Sequence, residues 1–127
     1  MRIDVPRRGI VLVVEDEVLV RMLTVGTVED AGYEVIEARH ADEAVAILEA
    51  RSDIALVVTD VDMPGSMDGL KLAHAVRNRW PPIKLVVVSG KSNLTEADLP
   101  SDTRFFAKPY SVGALVSALS SLLAHEQ

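Results

Sequence analysis

The sequence predicts an α/β fold, in which short parallel strands alternate with helices that cover both faces of one sheet. Two observations lead to this prediction. Continuous runs of aliphatic residues recur along the chain, beginning with Ile10–Val14, as expected of strands buried on both faces. Between these runs lie amphipathic stretches with apolar residues at helical spacing, and Ser111–Ala124 follows that spacing most closely.

Taken in order, the chain is predicted to form five strands and four helices. The predicted strands are Ile10–Val14, Tyr33–Ala38, Ile54–Thr59, Ile83–Val88 and Arg104–Ala107. The predicted helices are Glu17–Asp30, Ala41–Ala50, Asp68–Arg79 and Ser111–Ala124. Gly32 is expected to stop the first helix, and Pro81 and Pro82 prevent the third from continuing.

The apolar spacing also assigns a buried face to each helix. In the first helix the residues predicted to point inward are Val18, Leu19, Met22, Leu23 and Val25. In the second and third helices they are Ala44, Ile47, Leu48, Leu72, Ala73 and Val76. In the last helix they are Val112, Leu115, Val116, Leu119, Leu122 and Leu123. The segment Ser92–Asp102 has few apolar residues, so we expect a short helix or a mobile, irregular loop there.

Five such units in 127 residues predict a single domain, with a core from about residue 9 to 124. The predicted architecture is an open, flavodoxin-like, doubly wound sheet with strand order 2-1-3-4-5. In such sheets the binding site lies outside the carboxyl ends of the strands, at the switch point between strands 1 and 3. The residues that follow the strands are therefore the candidate functional residues.

Composition excludes several classes of protein. Apolar residues make up 49% of the chain and charged residues 25%, which is typical of a folded globular domain and not of a disordered one. The absence of cysteine excludes disulfides and thiolate zinc sites. A formal charge of −6 argues against direct nucleic-acid binding. No apolar run approaches the roughly 18 residues of a membrane span, so we expect a cytoplasmic protein without membrane insertion.

Acidic, hydroxyl and basic side chains follow four of the predicted strands. In chain order they are Glu15, Asp16, Glu17, Asp60, Asp62, Ser89 and Lys108. Clustered carboxylates repel one another unless a cation compensates them. Oxygen-only ligands suit a hard cation, so we expect Mg²⁺, with Mn²⁺ as the alternative, and Lys108 to offset part of the charge. This combination is what phosphoryl transfer to a carboxylate requires.

Several motifs carry a resemblance to a known family. They are Val13-Val14-Glu15-Asp16-Glu17, Asp60-Val61-Asp62-Met63-Pro64, Met67-Asp68-Gly69, Val88-Ser89-Gly90 and Ala107-Lys108-Pro109-Tyr110. Together, from about Gly9 to Leu123, the chain resembles the receiver domain of bacterial two-component response regulators. Each motif is common by itself, but five in this order, each at a predicted strand end, are specific.

The resemblance implies a role for each acidic residue. Asp60 would accept the phosphoryl group. Asp16 would bind Mg²⁺ directly, and Glu15 partly through water. Asp62 would offer the metal its backbone carbonyl.

The resemblance also implies the residues that respond to phosphorylation. Lys108 would bind a phosphoryl oxygen, with the Lys108–Pro109 peptide in the cis form. Ser89 would be the switch hydroxyl that moves toward the phosphoryl group, and Phe105 the aromatic residue that reorients with it. Asp62 and Lys91 would flank the route of hydrolytic water, and their opposite charges predict a contact that slows hydrolysis.

In segment length, the sequence departs from the family at two places. The loop after Asp60 carries one extra residue in Pro64–Gly69, and the stretch from Ser89 to Lys108 is shorter than is typical. The short stretch coincides with the weak helical pattern of Ser92–Asp102. Because the usual signalling face includes a helix there, the usual mode of output is in question.

We expect a stand-alone receiver without an effector domain. A sensor histidine kinase or a histidine phosphotransfer protein would donate the phosphoryl group to Asp60. The output would be binding to a downstream protein, onward relay or removal of phosphate from a kinase, and dimerisation is left open. The expected chemistry is self-catalysed phosphorylation and dephosphorylation only, so the chain is not predicted to be an enzyme.

Two alternatives are weighed against this interpretation. Asp60 and Asp62 also resemble the aspartate pair of haloacid-dehalogenase-like phosphatases, but that pair follows the first strand and would leave Glu15 and Asp16 unexplained. The second alternative is a degenerate receiver, which would act only as a binding module and would not be phosphorylated. The complete acidic set together with Ser89 and Lys108 argues against it.

Overall fold

A computed structural model of the chain describes residues 9–63, 67–90 and 94–124. Its five-stranded parallel sheet has the order β2-β1-β3-β4-β5, which confirms the predicted topology. The strands are β1 (Ile10–Val14), β2 (Glu34–Ala38), β3 (Ile54–Asp60), β4 (Lys84–Ser89) and β5 (Thr103–Ala107). The α-helices are α1 (Val18–Asp30), α2 (Ala41–Ala50), α3 (Gly69–Arg79) and α4 (Val112–Leu123). No predicted end of these elements is displaced by more than one residue.

The core consists of two layers, one on each face of the sheet. Helices α2 and α3 pack on one face, where Leu12 and Leu85 contribute to a buried cluster with Leu48 and Leu72. Helices α1 and α4 pack on the other, where strand residues such as Val11 meet helix residues such as Val28 and Leu115. Successive strand residues point to opposite faces, so each central strand supplies both layers.

Short polar contacts define where the helices begin. The Asp68 side chain accepts a hydrogen bond from the Lys71 amide at the start of α3, and Ser111 does the same for Ala114 at the start of α4. His40 Nδ1 accepts from the Glu43 amide and caps α2. Each cap satisfies an amide that the first helical turn leaves without an intrahelical partner.

The predicted inward face of α1 is wrong for four of its five residues. Val18, Leu19, Met22 and Leu23 are exposed, whereas Thr24 and Val28 are the buried residues of the helix. Of the predicted set, Val25 alone packs against the core, and it is only partly buried. Apolar residues occur on nearly every side of α1, so their spacing could not select the inner face. Thr24, which counts as polar, occupies that face.

Helix α4 needs a smaller correction. Leu115 and Leu119 are buried as predicted, and Ala118 is buried beside them although it lay outside the predicted stripe. Val112 is exposed instead of inward-facing. As the first residue of the helix, it precedes the turns that contact the sheet.

Between β4 and β5 the described residues, Gly90 and 94–102, contain a single 3₁₀ turn, Glu96–Asp98, and no α-helix. This confirms, for those residues, the prediction of a short or irregular segment; Ser92 and Asn93 lie outside the described residues. Side chains of α3 hold the segment in place. His74 Nε2 lies 2.8 Å from the Asp98 carbonyl oxygen, and Arg77 donates to the carbonyl oxygens of Ser101 and Asp102.

Over the described ranges, none of the helices is both long and apolar enough to span a membrane.

Candidate functional site

At the carboxyl edge of the sheet, three carboxylates predicted from the sequence lie together. One oxygen each of Glu15, Asp16 and Asp60 falls within a group whose members are no more than 4.8 Å apart. Lys108 Nζ lies 3.0 Å from Asp60 Oδ1 and 3.8 Å from Glu15 Oε1. The strands β1, β3 and β5 therefore deliver three acids and one ammonium to a single pocket.

Strand register brings Glu15 beside Asp60. Val14 pairs with Thr59 across β1 and β3, so the residues that follow them are neighbours. The Glu15 amide continues the sheet by donating a hydrogen bond to the Ala38 carbonyl oxygen. The Oε2 atom of the Glu15 side chain accepts a hydrogen bond of 3.0 Å from the Glu17 amide. The carboxylate is thus held in place before any ligand arrives.

The backbone around Asp60 is packed tightly against α3. The Val61 amide donates to the Val88 carbonyl, which extends the pairing of β3 with β4, and the Gly69 amide donates to the Val61 carbonyl. A Cβ atom at Gly69 would lie only 1.8 Å from the Asp60 carbonyl oxygen. Glycine is therefore required at the first position of α3 for the helix to approach Asp60 this closely.

Lys108 and Ser89 are connected through the backbone at the ends of β4 and β5. The Lys108 amide donates to the Ser89 carbonyl oxygen at 2.9 Å, and the Lys108–Pro109 peptide is cis, as the resemblance implied. Ser89 is fully buried at the end of β4, opposite Ala107 of β5.

Burial dominates the electrostatics of the pocket. It raises the pKa of Glu15 to about 7, opposed by the hydrogen bond from the Glu17 amide and reinforced by repulsion from Asp60. Burial also raises the pKa of Asp60, while the neighbouring Lys108 ammonium opposes that rise. For Lys108, burial would lower the pKa, but attraction to Asp60 and Glu15 outweighs it and the net shift is upward. The single ammonium of Lys108 therefore offsets only part of the charge that three ionised carboxylates would carry.

The donor set fits a hard divalent cation. Its ligand atoms are all carboxylate oxygens, the ligands that Mg²⁺ and Mn²⁺ prefer. Within the described part of the chain, Asp60 Oδ1 is a buried oxygen to which no group donates with hydrogen-bonding geometry, although Lys108 is close enough for an ion pair. A bound cation would compensate this buried oxygen.

The other predicted site residues are less closely associated. Asp62 is exposed beyond the end of β3, and Lys91, its predicted partner, lies outside the described residues. Phe105 is partly buried and packs, with Leu94 and Leu99, against the core layer formed by α2 and α3. The predicted contact between Asp62 and Lys91 therefore stays a prediction.

Sequence reasoning missed two residues that shape the pocket. Arg21 of α1 donates to the Glu15 carbonyl oxygen, and Gly69 permits the close approach of α3 to Asp60. Gly69 had a visible signal, since it follows the helix cap Asp68 within a quoted motif. Arg21 had none, because its second partner, Glu37, lies 16 residues away on β2.

Beside the pocket, the molecule presents apolar residues to solvent. The outer face of α1 consists of Val18, Leu19, Met22 and Leu23, which expose between 57% and 74% of their surface. A groove of about 490 Å³ runs from this face to the start of α4, and it is lined by Leu23, Thr24, Tyr110 and Val112 among others. Lys108 also lines it, so the groove reaches the acidic pocket.

The chain is similar to proteins of one family over most of its length. The model of the response regulator receiver domain matches residues 11–120. Sensor kinase CckA of Brucella abortus (strain 2308) is 38% identical over 124 residues, which are 94% of this chain but only 13% of the kinase. Chemotaxis protein CheY1 of Helicobacter pylori (strain J99) is 33% identical over 118 residues, covering 88% of this chain and 94% of CheY1.

A solved structure gives the same result. The response regulator receiver protein of Sinorhizobium medicae WSM419 superposes with a TM-score of 0.84 at 28% identity, over 91% of this chain and 94% of that one. The position of Asp60 at the end of the third strand also disagrees with the dehalogenase-like alternative, which needs its aspartates after the first. Fold, pocket and family model agree: the chain belongs to the response regulator receiver domain family.

Proposed function

We propose that this receiver domain accepts a phosphoryl group from a phosphohistidine onto Asp60, in a reaction that depends on Mg²⁺, and signals through protein–protein interaction. The observation that carries the proposal is the buried Asp60 carboxylate, 5% exposed, between two further acids and the ammonium of Lys108. A carboxylate in that setting can act as a nucleophile once its neighbours' charge is compensated.

Glu15, Asp16 and Asp60 would hold the cation through carboxylate oxygens, and Asp62 would add its backbone carbonyl. When bound, Mg²⁺ or its alternative Mn²⁺ supplies positive charge that offsets the negative charge on the transferring phosphoryl group. Glu15 is held by the Glu17 amide, so its carboxylate is oriented in advance.

In the transfer itself, an Asp60 carboxylate oxygen forms a bond to phosphorus. The bond from phosphorus to the donor's histidine nitrogen breaks, and its electron pair stays on the imidazole. Lys108, 3.0 Å from Asp60 Oδ1, would pair with a phosphoryl oxygen, and the Ser89 hydroxyl would donate a hydrogen bond to another. The product is an aspartyl-phosphate.

The donor would be a sensor histidine kinase or a histidine phosphotransfer protein. The outer face of α1 supports this proposal, because its exposed apolar side chains lie beside the pocket, where a protein that brings a phosphohistidine to Asp60 has to dock. Movement of Ser89 and Phe105 would then alter the surface near β5 and α4 for a downstream protein. Binding of a target, onward relay and removal of phosphate from a kinase are all compatible with this chemistry.

The first test is the intact mass of the protein after incubation with acetyl phosphate, with and without Mg²⁺. We expect one phosphoryl adduct for the wild type with Mg²⁺, no adduct in excess EDTA and no adduct for Asp60→Asn. Asp30→Asn is the matched control, since it makes the same substitution at an exposed carboxylate, the last residue of α1. An adduct that persists in Asp60→Asn would contradict the assignment of Asp60.

We also propose that Asp62 and Lys91 slow the hydrolysis of the aspartyl-phosphate by narrowing the entry of water. Asp62 is exposed two residues after Asp60, just beyond the end of β3. Lys91→Ala should shorten the lifetime of the phosphorylated protein by about threefold, as loss of roughly 0.7 kcal/mol of barrier would do. The lifetime is measured by following the adduct mass after removal of the phosphodonor. An unchanged lifetime would refute the contact.

A further inference from the structure

Arg21 is a charged residue in an otherwise apolar part of α1, and its side chain is only 12% exposed. Among the described residues its guanidinium has two partners. Nη1 donates a hydrogen bond of 2.9 Å to the Glu15 backbone oxygen, and Nε donates one of 3.0 Å to Glu37 Oε1. The side chain therefore links α1 to the turn after β1 and to β2.

The bond to the Glu15 oxygen acts on the acidic pocket through the backbone. That oxygen belongs to the peptide that joins Glu15 to Asp16, and a peptide is planar, so fixing the oxygen fixes the plane from which Asp16 continues. The two carboxylates of this turn are two of the three in the pocket. Arg21 thus contacts the peptide between the two residues through the Glu15 oxygen.

Glu37 provides the fixed point on the other side. It pairs with Val13 in the register between β1 and β2, so it sits on a strand directly bonded to the one that ends at Glu15. The planar guanidinium reaches both partners with two different nitrogens. A lysine has a single nitrogen and cannot reproduce that fork, although it carries the same charge.

We propose that Arg21 is a positioning residue that presets the Glu15–Asp16 turn for the divalent cation. The proposal rests on the proposed function, because it assumes that these carboxylates bind Mg²⁺. It predicts that Arg21 determines the affinity for Mg²⁺ and leaves the rate of phosphoryl transfer at saturating Mg²⁺ unchanged. It also predicts that the geometry of the side chain matters, and its charge does not.

The experiment compares wild type, Arg21→Lys, Arg21→Met and Arg39→Met. Arg39 is the matched control, since it forms a surface ion pair with Glu43 and is 67% exposed. Isothermal titration calorimetry with Mg²⁺ alone gives the affinity. Both Arg21 variants should bind Mg²⁺ about tenfold more weakly, which is the usual effect of removing a group that orients metal ligands, and Arg39→Met should match the wild type.

A second measurement separates positioning from a general loss of structure. The rate of adduct formation from acetyl phosphate is measured as a function of Mg²⁺ concentration. The Arg21 variants should need about tenfold more Mg²⁺ for half the maximal rate but should reach a maximum within about twofold of the wild type.

Three outcomes would overturn the proposal while leaving the proposed function intact. They are an unchanged Mg²⁺ affinity in both variants, full affinity in Arg21→Lys, or a maximal rate that falls as much as the affinity. The first would leave Arg21 with a stabilising role only, the second with a charge effect, and the third with a part in the transfer step. Failure of the wild type to bind Mg²⁺ or to form an adduct would instead overturn the proposed function, and this inference with it.

Discussion

At the carboxyl edge of the sheet, the acidic residues Glu15 and Asp60 are buried, with only 4% and 5% of their surface exposed. On nearby α1, the apolar residues Leu19 and Leu23 are 74% and 72% exposed. Folded proteins normally do the reverse, with charged groups in water and large apolar groups inside. The two regions depart from that rule in opposite directions. Each lacks something that a partner can supply, a cation in the first and an apolar surface in the second.

The two regions also differ in how much change they tolerate. The pocket is held by strand register, backbone hydrogen bonds and the close contact of Gly69 with Asp60, so small changes there should affect the whole molecule. The outer face of α1 has no such constraints, because its side chains extend into solvent. Substitutions that separate stability from function test this contrast directly.

The largest effect is expected for Gly69→Ala. The added methyl group would lie 1.8 Å from the Asp60 carbonyl oxygen, so either α3 or the end of β3 has to move. We expect the free energy of unfolding in urea to fall by about 3 kcal/mol, at the upper end of the cost of overpacking. Adduct formation from acetyl phosphate should fall as well, because the displaced backbone carries the nucleophile.

Gly113→Ala is the control for Gly69→Ala. Gly113 also lies in the first turn of a helix, α4, but a Cβ there would meet no atom within 4 Å. Alanine favours helix over glycine, so this variant should gain up to about 1 kcal/mol of stability. Equal effects of the two substitutions would show that the contact with Asp60 does not constrain the fold.

The second effect concerns pH. Folding raises the pKa of Glu15 from 4.5 to about 7, and it also raises the pKa of Asp60. Between pH 4.5 and about 7 the folded protein therefore binds more protons than the unfolded chain. The contribution of these groups to the stability of the metal-free protein is therefore greatest below pH 4.5. That contribution is lost as the pH rises through about 7. Mg²⁺ should reverse the trend, because it binds the ionised carboxylates.

Thermal unfolding in EDTA and in excess Mg²⁺, at several pH values between about 5 and 8, measures this effect. The increase in Tm caused by Mg²⁺ should grow with pH. In Glu15→Gln, which cannot ionise, the pH dependence in EDTA should be weaker than in the wild type. A Tm that rises with pH in EDTA for the wild type, and not for Glu15→Gln, would contradict the upward shift of the Glu15 pKa.

The pocket and α1 also differ in how well the sequence predicted them. The carboxyl ends of the strands were predicted to within one residue because aliphatic runs such as Ile10–Val14 stop abruptly at polar residues, and parallel topology then gathers those residues at one edge. The inner face of α1 was not predictable from spacing, because apolar residues surround the helix and Thr24 takes a buried position. Arg21 escaped notice because its role depends on the pairing of β1 with β2 and not on any local motif.

The smallest effect on the molecule itself is expected for Leu19→Ser combined with Leu23→Ser. Both side chains extend into solvent, so the free energy of unfolding should change by no more than about 0.5 kcal/mol for each. Leu48→Ser in α2 is the control, because Leu48 is 1% exposed and truncation of such a residue costs about 2–5 kcal/mol.

Phosphorylation assays distinguish the role of the acidic pocket from that of the outer face of α1. Acetyl phosphate needs no docking surface, so the α1 double variant should form its adduct at the wild-type rate. Purified histidine kinases are first screened for one that phosphorylates the wild type. The rate of phosphotransfer from that kinase to the double variant should be at least about tenfold lower, as expected when apolar residues are removed from the centre of an interface. Because the small phosphodonor reports on the pocket and the protein donor on both regions, unchanged transfer from the kinase would mean that the donor approaches Asp60 from another side. The exposed leucines of α1 would then have to serve a different partner.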